Sequence, residues 1–223
     1  MPHDHHDRSH DHGHGLSPSG HPYRTDDDAP LSHWQCMEIA VRELLIEKGI
    51  VSEDEVRTAI ERMDARSPAL GASVVARAWT DPAFRERLLA DGSAACRELG
   101  IEIDALKLVV VENTVDAHNM IVCTLCSCYP RTLLGLPPDW YKNRAYRARA
   151  VKEPRAVLAE FGLTLPEDMA VRVHDSTADM RYLVLPRRPE GTEGWSEEKL
   201  AGLVGRDAMI GVALADTPSA KTA

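Results

Sequence analysis

Three of the chain's five cysteines lie within six residues, in the run Val122-Cys123-Thr124-Leu125-Cys126-Ser127-Cys128-Tyr129-Pro130. Thiolates are nucleophiles and soft metal ligands, so a C-x-x-C-x-C cluster points to metal binding or redox chemistry. A structural zinc site takes four Cys or His ligands from two separated pairs and closes a tetrahedron. Here a second cysteine pair is missing, since Cys36 and Cys96 each stand apart from any other cysteine. Three sulfurs on one tight loop leave a metal short of ligands. The nearest further donors are the backbone amide nitrogens of Ser127 and Cys128. A peptide nitrogen binds a metal only after losing its proton, which favours a strongly Lewis-acidic, trivalent ion over zinc. The competing reading, three buried unreactive thiols, is weaker, because clustered thiols more often bind metal or do redox chemistry.

The elements that must hold this loop divide the chain. Residues 1–30 carry seven of the ten histidines (His3, His5, His6, His10, His12, His14 and His21), interleaved with Asp4, Asp7 and Asp11. With almost no apolar side chains, this segment cannot offset its ordering entropy and is expected to be a disordered tail. It either collects metal ions loosely or is simply solvated. Residues 31–100 read as a helical N-terminal arm. Trp34, Met37, Val41, Leu44 and Leu45 recur at helical steps after Ser32, and Ser52 with Glu55 has the spacing of a capping box. A short helix is expected around Val74–Trp79, another after the Asp81-Pro82 start, and a third ending at Gly100. Cys36 and Cys96 are expected as small core residues.

Residues 101–215 change period. Leu106–Val111 and Met120–Val122 read as strands, with the cysteine loop turning off the second. Arg147–Phe161 reads as helix with a new start near Pro154. Val171–His174 and Tyr182–Leu185 read as strands joined by Asp175-Ser176-Thr177-Ala178-Asp179, a sequence that also suits an ordinary hairpin turn. Ser196 caps a helix with Trp195 and Leu200 as its staple, and Ala208–Leu214 is a last strand candidate. Residues 216–223 form a flexible tail. The fold class is α+β: a helical arm followed by a layered α/β core that carries the cysteine-rich loop. A net charge of −9 without a basic stripe excludes nucleic acid as the expected partner. No apolar run approaches a membrane span and no secretory pattern opens the chain, so a cytoplasmic location is expected.

The loop Val122–Cys128 resembles the metal claw of the nitrile hydratase alpha subunit. The likeness continues through Leu136-Pro137-Pro138-Asp139-Trp140-Tyr141-Lys142, Tyr146-Arg147-Ala148-Arg149, Arg181-Tyr182-Leu183-Val184-Leu185-Pro186 and Gly191–Glu198. The resemblance implies that Cys123, Cys126 and Cys128 and the amides of Ser127 and Cys128 hold one low-spin Co(III) or Fe(III). The sixth position is open to water or substrate. Thr124 is similar to cobalt-type members, where iron-type members carry Ser. It further implies that Cys123 stays a thiolate, Cys126 becomes a sulfinic acid and Cys128 a sulfenic acid, whose oxygen acts as nucleophile or base in hydrating a nitrile to an amide. Ser127 and the acidic pair Asp175 and Asp179 would support the centre, Asp179 standing where the family usually has Glu.

Implied partners are a beta subunit that supplies arginines, in an αβ unit that pairs again as α2β2, a small-molecule nitrile, and a metallochaperone or activator. Two departures leave alternatives open. The family's Gln-Gly-Glu stretch is replaced by Ile103-Asp104-Ala105-Leu106, and Arg131 stands where many nitrile hydratases have Trp. Arg131 and the His-rich start resemble the thiocyanate hydrolase gamma subunit, which shares the claw. A metal-storage or metal-transfer protein is the non-enzymatic alternative.

Overall fold

A computed structural model describes residues 31–103 and 106–218. The His-rich tail lies outside the described residues, as do Asp104, Ala105 and residues 219–223. The chain divides between Glu61 and Arg62 into two compact units.

Helix α1 (His33–Glu47) lies in the first unit, and α2 (Glu53–Asp64) begins there. The capping box expected at Ser52 forms, and Ser32 forms a second one. Gln35 N donates to Ser32 Oγ at 3.3 Å while Ser32 N donates to Gln35 Oε1 at 2.8 Å. Ser52 and Glu55 make the same exchange at 2.8 and 3.2 Å. Each box satisfies amides that the first helical turn leaves without partners. Neither helix fully buries a residue, and Trp34, Met37, Val41 and Leu44 leave an apolar stripe exposed along α1. Cys36 is exposed as well, which corrects its reading as a core residue. A helical period places it on α1 but does not say which side is covered.

In the second unit α3 (Ala69–Thr80), α4 (Pro82–Ala90) and α5 (Gly92–Glu98) precede β1 (Lys107–Glu112) and β2 (Ala117–Val122). Then follow α6 (Arg131–Leu134), α7 (Asp139–Lys142), α8 (Arg144–Lys152), α9 (Pro154–Glu160), β3 (Ala170–Asp175), β4 (Met180–Leu185), α10 (Glu197–Ala201) and α11 (Arg206–Ile210). Asp81 caps α4 by accepting from Phe84 N, and Asp91 caps α5 by accepting from Ala94 N. Helices α3–α5, read from sequence as part of the arm, pack in this unit, with α4 and α5 against β1 and α3 against α6 and α10. Phe84, Leu88, Met120, Leu133 and Leu183 are among the fully buried side chains of the core, each stabilising by roughly 1.5–3 kcal/mol. Cys96 is buried there, and burial pushes its thiol up to about 12.

The hairpin alternative and one expected strand do not hold. Strands β3 and β4 do not pair as a hairpin. Instead β3 runs parallel to β2, and β4 runs parallel to β1. Alternating apolar residues define a strand's faces but not its partner. The run Ala208–Leu214 is not a strand: Ala208, Met209 and Ile210 are buried in α11, which Gly211 ends in the left-handed region at φ 89°. A short apolar run has no visible period, so a buried helical turn and a buried strand look alike. The Lys199 ammonium lies over the Trp195 ring, 3.7 Å from its centroid.

Beside β2 a buried polar network ties distant segments together. His118 Nε2 donates to Gly211 O at 2.7 Å, which leaves Nδ1 to accept from Asn113 Nδ2 at 3.2 Å. Asn113 Oδ1 accepts from Asn119 N at 2.7 Å, and Asn119 Oδ1 accepts from His174 Nε2 at 2.8 Å. Each partner fixes the next, so His118 must be neutral. Burial lowers the pKa of both His118 and His174 below the ordinary imidazole value. The unfolded chain therefore takes up these protons first, and stability is fully present above about pH 6.5 and lost as pH falls through the lower folded values. Melting temperatures measured between pH 7.5 and 5 should fall with pH, and the fall should shrink in His118→Gln.

Gly211 also allows a close approach. A Cβ there would sit 2.0 Å from Asn119 O, whereas one at Gly49, also at positive φ, meets nothing within 4 Å. Gly211→Ala should cost roughly 2–4 kcal/mol or prevent folding, against about 1 kcal/mol for Gly49→Ala, read from denaturant melts.

Candidate metal centre

The claw begins where a parallel ladder ends. Val122 is the last residue of β2 and pairs with Asp175, the last of β3. Ser176 N closes the ladder with a 2.7 Å bond to Val122 O. Asp175 then reaches across to the departing chain. Its Oδ1 accepts from Thr124 N at 2.9 Å and its Oδ2 from Thr124 Oγ at 2.5 Å. A carboxylate taking two bonds from one residue fixes that residue's position and orientation. Tyr146 of α8 donates to Ile121 O at 2.8 Å, Tyr141 of α7 donates to Cys128 O at 2.9 Å, and Arg147 donates to Thr124 O at 3.4 Å. The loop is thus tied at its entry and its exit by groups from β3, α7 and α8.

The restraint gathers the sulfurs. All three Sγ atoms lie within 4.8 Å of one another, with Cys123–Cys126 at 3.5 Å and Cys126–Cys128 at 3.2 Å. Cys126 N donates to Cys123 Sγ at 3.3 Å. Cys123 is buried, Cys126 exposed and Cys128 half-buried. Hydrogen bonds from Cys128, Cys123 and the Ser127 amide draw the Cys126 thiol below the ordinary range, while burial pushes Cys128 up. The cluster therefore gives up its first proton readily at the exposed sulfur. Three convergent sulfurs suit a thiophilic transition metal and not calcium or magnesium. Among the described residues this is the only Cys, His, Asp or Glu group gathered closely enough to hold a metal.

Each residue singled out in the sequence now has a place. Asp175 is bonded to the claw. Asp179 is exposed, and only its backbone is engaged, its carbonyl accepting from Lys107 N at 3.0 Å. Ser127 is half-buried at the rim. Sequence reasoning missed Tyr141, whose hydroxyl braces Cys128, and Arg181, whose positive charge lies close enough to favour the Cys128 thiolate. Arg181 Nη1 also donates to Ala178 O at 3.1 Å, which ties it to the loop after β3. Nothing local in the sequence signals either role, because both residues reach the claw through the packing of α7 and β4.

Comparison with known proteins agrees with this geometry. Residues 32–213 match the family described as nitrile hydratase, alpha chain. The chain is 54% identical to the low-molecular weight cobalt-containing nitrile hydratase subunit alpha of Rhodococcus rhodochrous, across 81% of this chain and 88% of that one. It is 51% identical to the cobalt-containing nitrile hydratase subunit alpha of Pseudonocardia thermophila (78% and 86%), and 42% identical to the thiocyanate hydrolase subunit gamma of Thiobacillus thioparus (82% and 81%). Among solved structures, a double histidine mutant of the Fe-type nitrile hydratase from Comamonas testosteroni Ni1 superposes with a TM-score of 0.81 at 44% identity. The match covers 87% of this chain and 98% of that one.

If Asp175 holds the claw in shape, Asp175→Ala should weaken metal retention by about tenfold to a hundredfold in competition with a chelator. Asp179→Asn, lacking a side-chain bond to lose, should retain metal as the wild type does.

Proposed function

The chain belongs to the nitrile hydratase alpha-chain family, and from that premise we propose that it is the metal-bearing subunit of a cobalt-type enzyme that hydrates nitriles to amides. The observation that carries this reading is the three-sulfur cluster at Cys123, Cys126 and Cys128, tied to Asp175 within a match spanning residues 32–213. Cobalt is favoured by Thr124 and by the cobalt-containing relatives; one Co(III) per chain is the finer reading. Cys123, Cys126 and Cys128, with the amides of Ser127 and Cys128, would hold it. The bound ion supplies Lewis acidity, polarising the nitrile and lowering the pKa of water.

The rest of the chemistry falls to this chain's residues. Oxidation should follow exposure: Cys126 to the sulfinic acid, Cys128 to the sulfenic acid, and buried Cys123 unchanged. The Cys128 sulfenate oxygen serves as nucleophile or base, and Tyr141, bonded to the Cys128 carbonyl, holds that residue in place. Asp175 keeps the loop in register through Thr124. The Ser127 hydroxyl and the Asp179 carboxylate are assigned to the surrounding water network. Water adds across C≡N to give an imidic acid, which tautomerises to the amide.

An alpha subunit implies a beta subunit. Two oxygenated sulfurs beside one entry need cationic donors, and among the described residues Arg181 is the arginine whose charge acts on Cys128. Arginines from a beta subunit would complete the set, in an αβ unit that pairs again as α2β2. The exposed stripe Trp34, Met37, Val41 and Leu44 on α1 offers that subunit an apolar surface. Metal delivery by a metallochaperone or activator belongs to the same reading, as does a cytoplasmic location, where thiols stay reduced until loaded. Among the described residues no helix is long and apolar enough to cross a membrane.

Thiocyanate hydrolysis remains the second reading. Arg131 favours it, as does the likeness to a solved arginine-to-tryptophan mutant of thiocyanate hydrolase, with TM-score 0.80 at 40% identity over 85% of this chain and 93% of that one.

The chain co-expressed with its beta partner should carry one cobalt and show added oxygen, by tryptic mass, on Cys126 and Cys128 but not Cys123. It should convert nitriles to amides without further hydrolysis to acids. Cys126→Ala and Cys128→Ala should abolish turnover, while Cys36→Ala and Cys96→Ala should not. Zinc on three unmodified thiols, or full activity from this chain alone, would overturn the reading.

A further inference from the structure

Two buried side-chain oxygens make no hydrogen bond among the described residues, the Tyr129 and Ser176 hydroxyls, and both residues adjoin the claw. Tyr129 follows Cys128 directly. Ser176, 3% exposed, follows Asp175 and closes the ladder by donating its backbone N–H to Val122 O at 2.7 Å. Any residue could make that backbone bond, so it does not account for a serine. A buried hydroxyl without a partner gives up its hydration for nothing, and native folds retain few of them.

The neighbouring acceptor is Tyr141. Its ring is fully buried, in edge contact with Tyr129 at 5.1 Å and with Trp140 at 5.9 Å, which makes the hydroxyl at its tip a fixed point. That hydroxyl donates to Cys128 O at 2.9 Å and keeps lone pairs with which to accept. Burial raises the pKa of Tyr141, the charges of Tyr146, Cys123 and Tyr129 add to the rise, and the Ser176 hydroxyl opposes it. The two hydroxyls are therefore neighbours beside the claw, although no bond joins them. Serine has three staggered rotamers and a freely turning hydroxyl proton, so the donor can be re-aimed without moving the backbone.

We propose that Ser176 is a positioning residue for Cys128: in the loaded claw its hydroxyl donates to Tyr141 Oη, and Tyr141 donates in turn to the Cys128 carbonyl. The proposal rests on the hydratase reading and adds to it a residue that sets where the reacting sulfur group stands. Two consecutive residues at the end of β3 then govern both ends of the claw. Asp175 grips the entry at Thr124, and Ser176 acts through Tyr141 on the exit at Cys128. A chain of two hydroxyl bonds is stiffer than either bond alone, because each donor polarises the next. Cys128 bears the oxygen assigned as nucleophile or base, and small misplacements of such a group are costly in rate.

The test uses the cobalt-loaded complex with its beta partner and propionitrile as substrate. Ser176→Ala and Tyr141→Phe should each lower kcat about tenfold, the worth of one hydrogen bond, with KM changed less than twofold. Both should keep one cobalt per chain and shift the cobalt–sulfur charge-transfer absorption in the same direction. Because Ser176 acts through Tyr141, adding Ser176→Ala to Tyr141→Phe should change neither kcat nor the absorption further. Wild-type kcat and absorption in Ser176→Ala would overturn the proposal and leave Ser176 a small residue that fills space. Additive effects in the double variant would overturn it too, as would loss of cobalt from Ser176→Ala, which would make the residue a support of the ion and not of Cys128. The absorption cycle is read without turnover. A wild-type complex that hydrates no nitrile would thus count against the hydratase reading, while the spectra still decide the role of Ser176.

Discussion

Val122 and Asp175 meet at the last rung of a parallel ladder, and the site depends on that meeting. A six-residue loop cannot by itself hold three sulfurs together, because each backbone torsion it fixes costs entropy. The loop is held where its second residue beyond β2, Thr124, is gripped at N–H and hydroxyl by a carboxylate on the adjacent strand. Parallel pairing requires a long crossover, and here α6–α9 lie between β2 and β3. The same crossover supplies Tyr141 and Arg147, which hold the loop from its other side. One topological choice thus provides the carboxylate and the opposing braces together.

Much of this was legible in the sequence, and what was not failed for physical reasons. Helix starts announced themselves through local chemistry: Ser32, Ser52, Asp81 and Ser196 each cap a helix, while the Asp91 cap of α5 went unread. The claw was visible because its three ligands are neighbours in sequence. Strand partners were not visible, since alternation in Val171–His174 says nothing about which strand lies alongside. The hairpin alternative therefore failed, and it was the family resemblance that placed Asp175 beside the claw. Arg181 was read only as part of a strand, and its nearness to Cys128 comes from β4 lying beside β1. Cys36 carries no sign of its exposure, because a stripe of apolar residues looks the same whether its partner is this chain or another.

The electrostatics around the claw are unbalanced in an informative way. The Cys126 thiol is drawn below its ordinary range, and the tyrosine hydroxyls meet the loop's carbonyls while the Cys126 amide donates to the Cys123 sulfur. Positive charge lies at Arg147, which donates to Thr124 O, and at Arg181, close to Cys128. Charge near a low-dielectric pocket acts strongly at short range and is screened beyond about 10 Å. The chain's overall acidity therefore does not decide what reaches the metal centre.

The long sequence separation between the claw and its carboxylate has a bearing on how the protein is made. Thr124 and Asp175 are 51 residues apart. At 5–20 residues per second, the three thiols leave the ribosome roughly 3–10 s before the group that shapes them. The His118 bond to Gly211, 93 residues apart, closes later still. A nascent chain therefore presents a floppy dithiol-rich segment first and a preorganised ligand set only near the end of translation. Premature capture of whichever soft ion is at hand is the hazard of that interval, and the late-closing ladder makes metal selection a property of the finished fold.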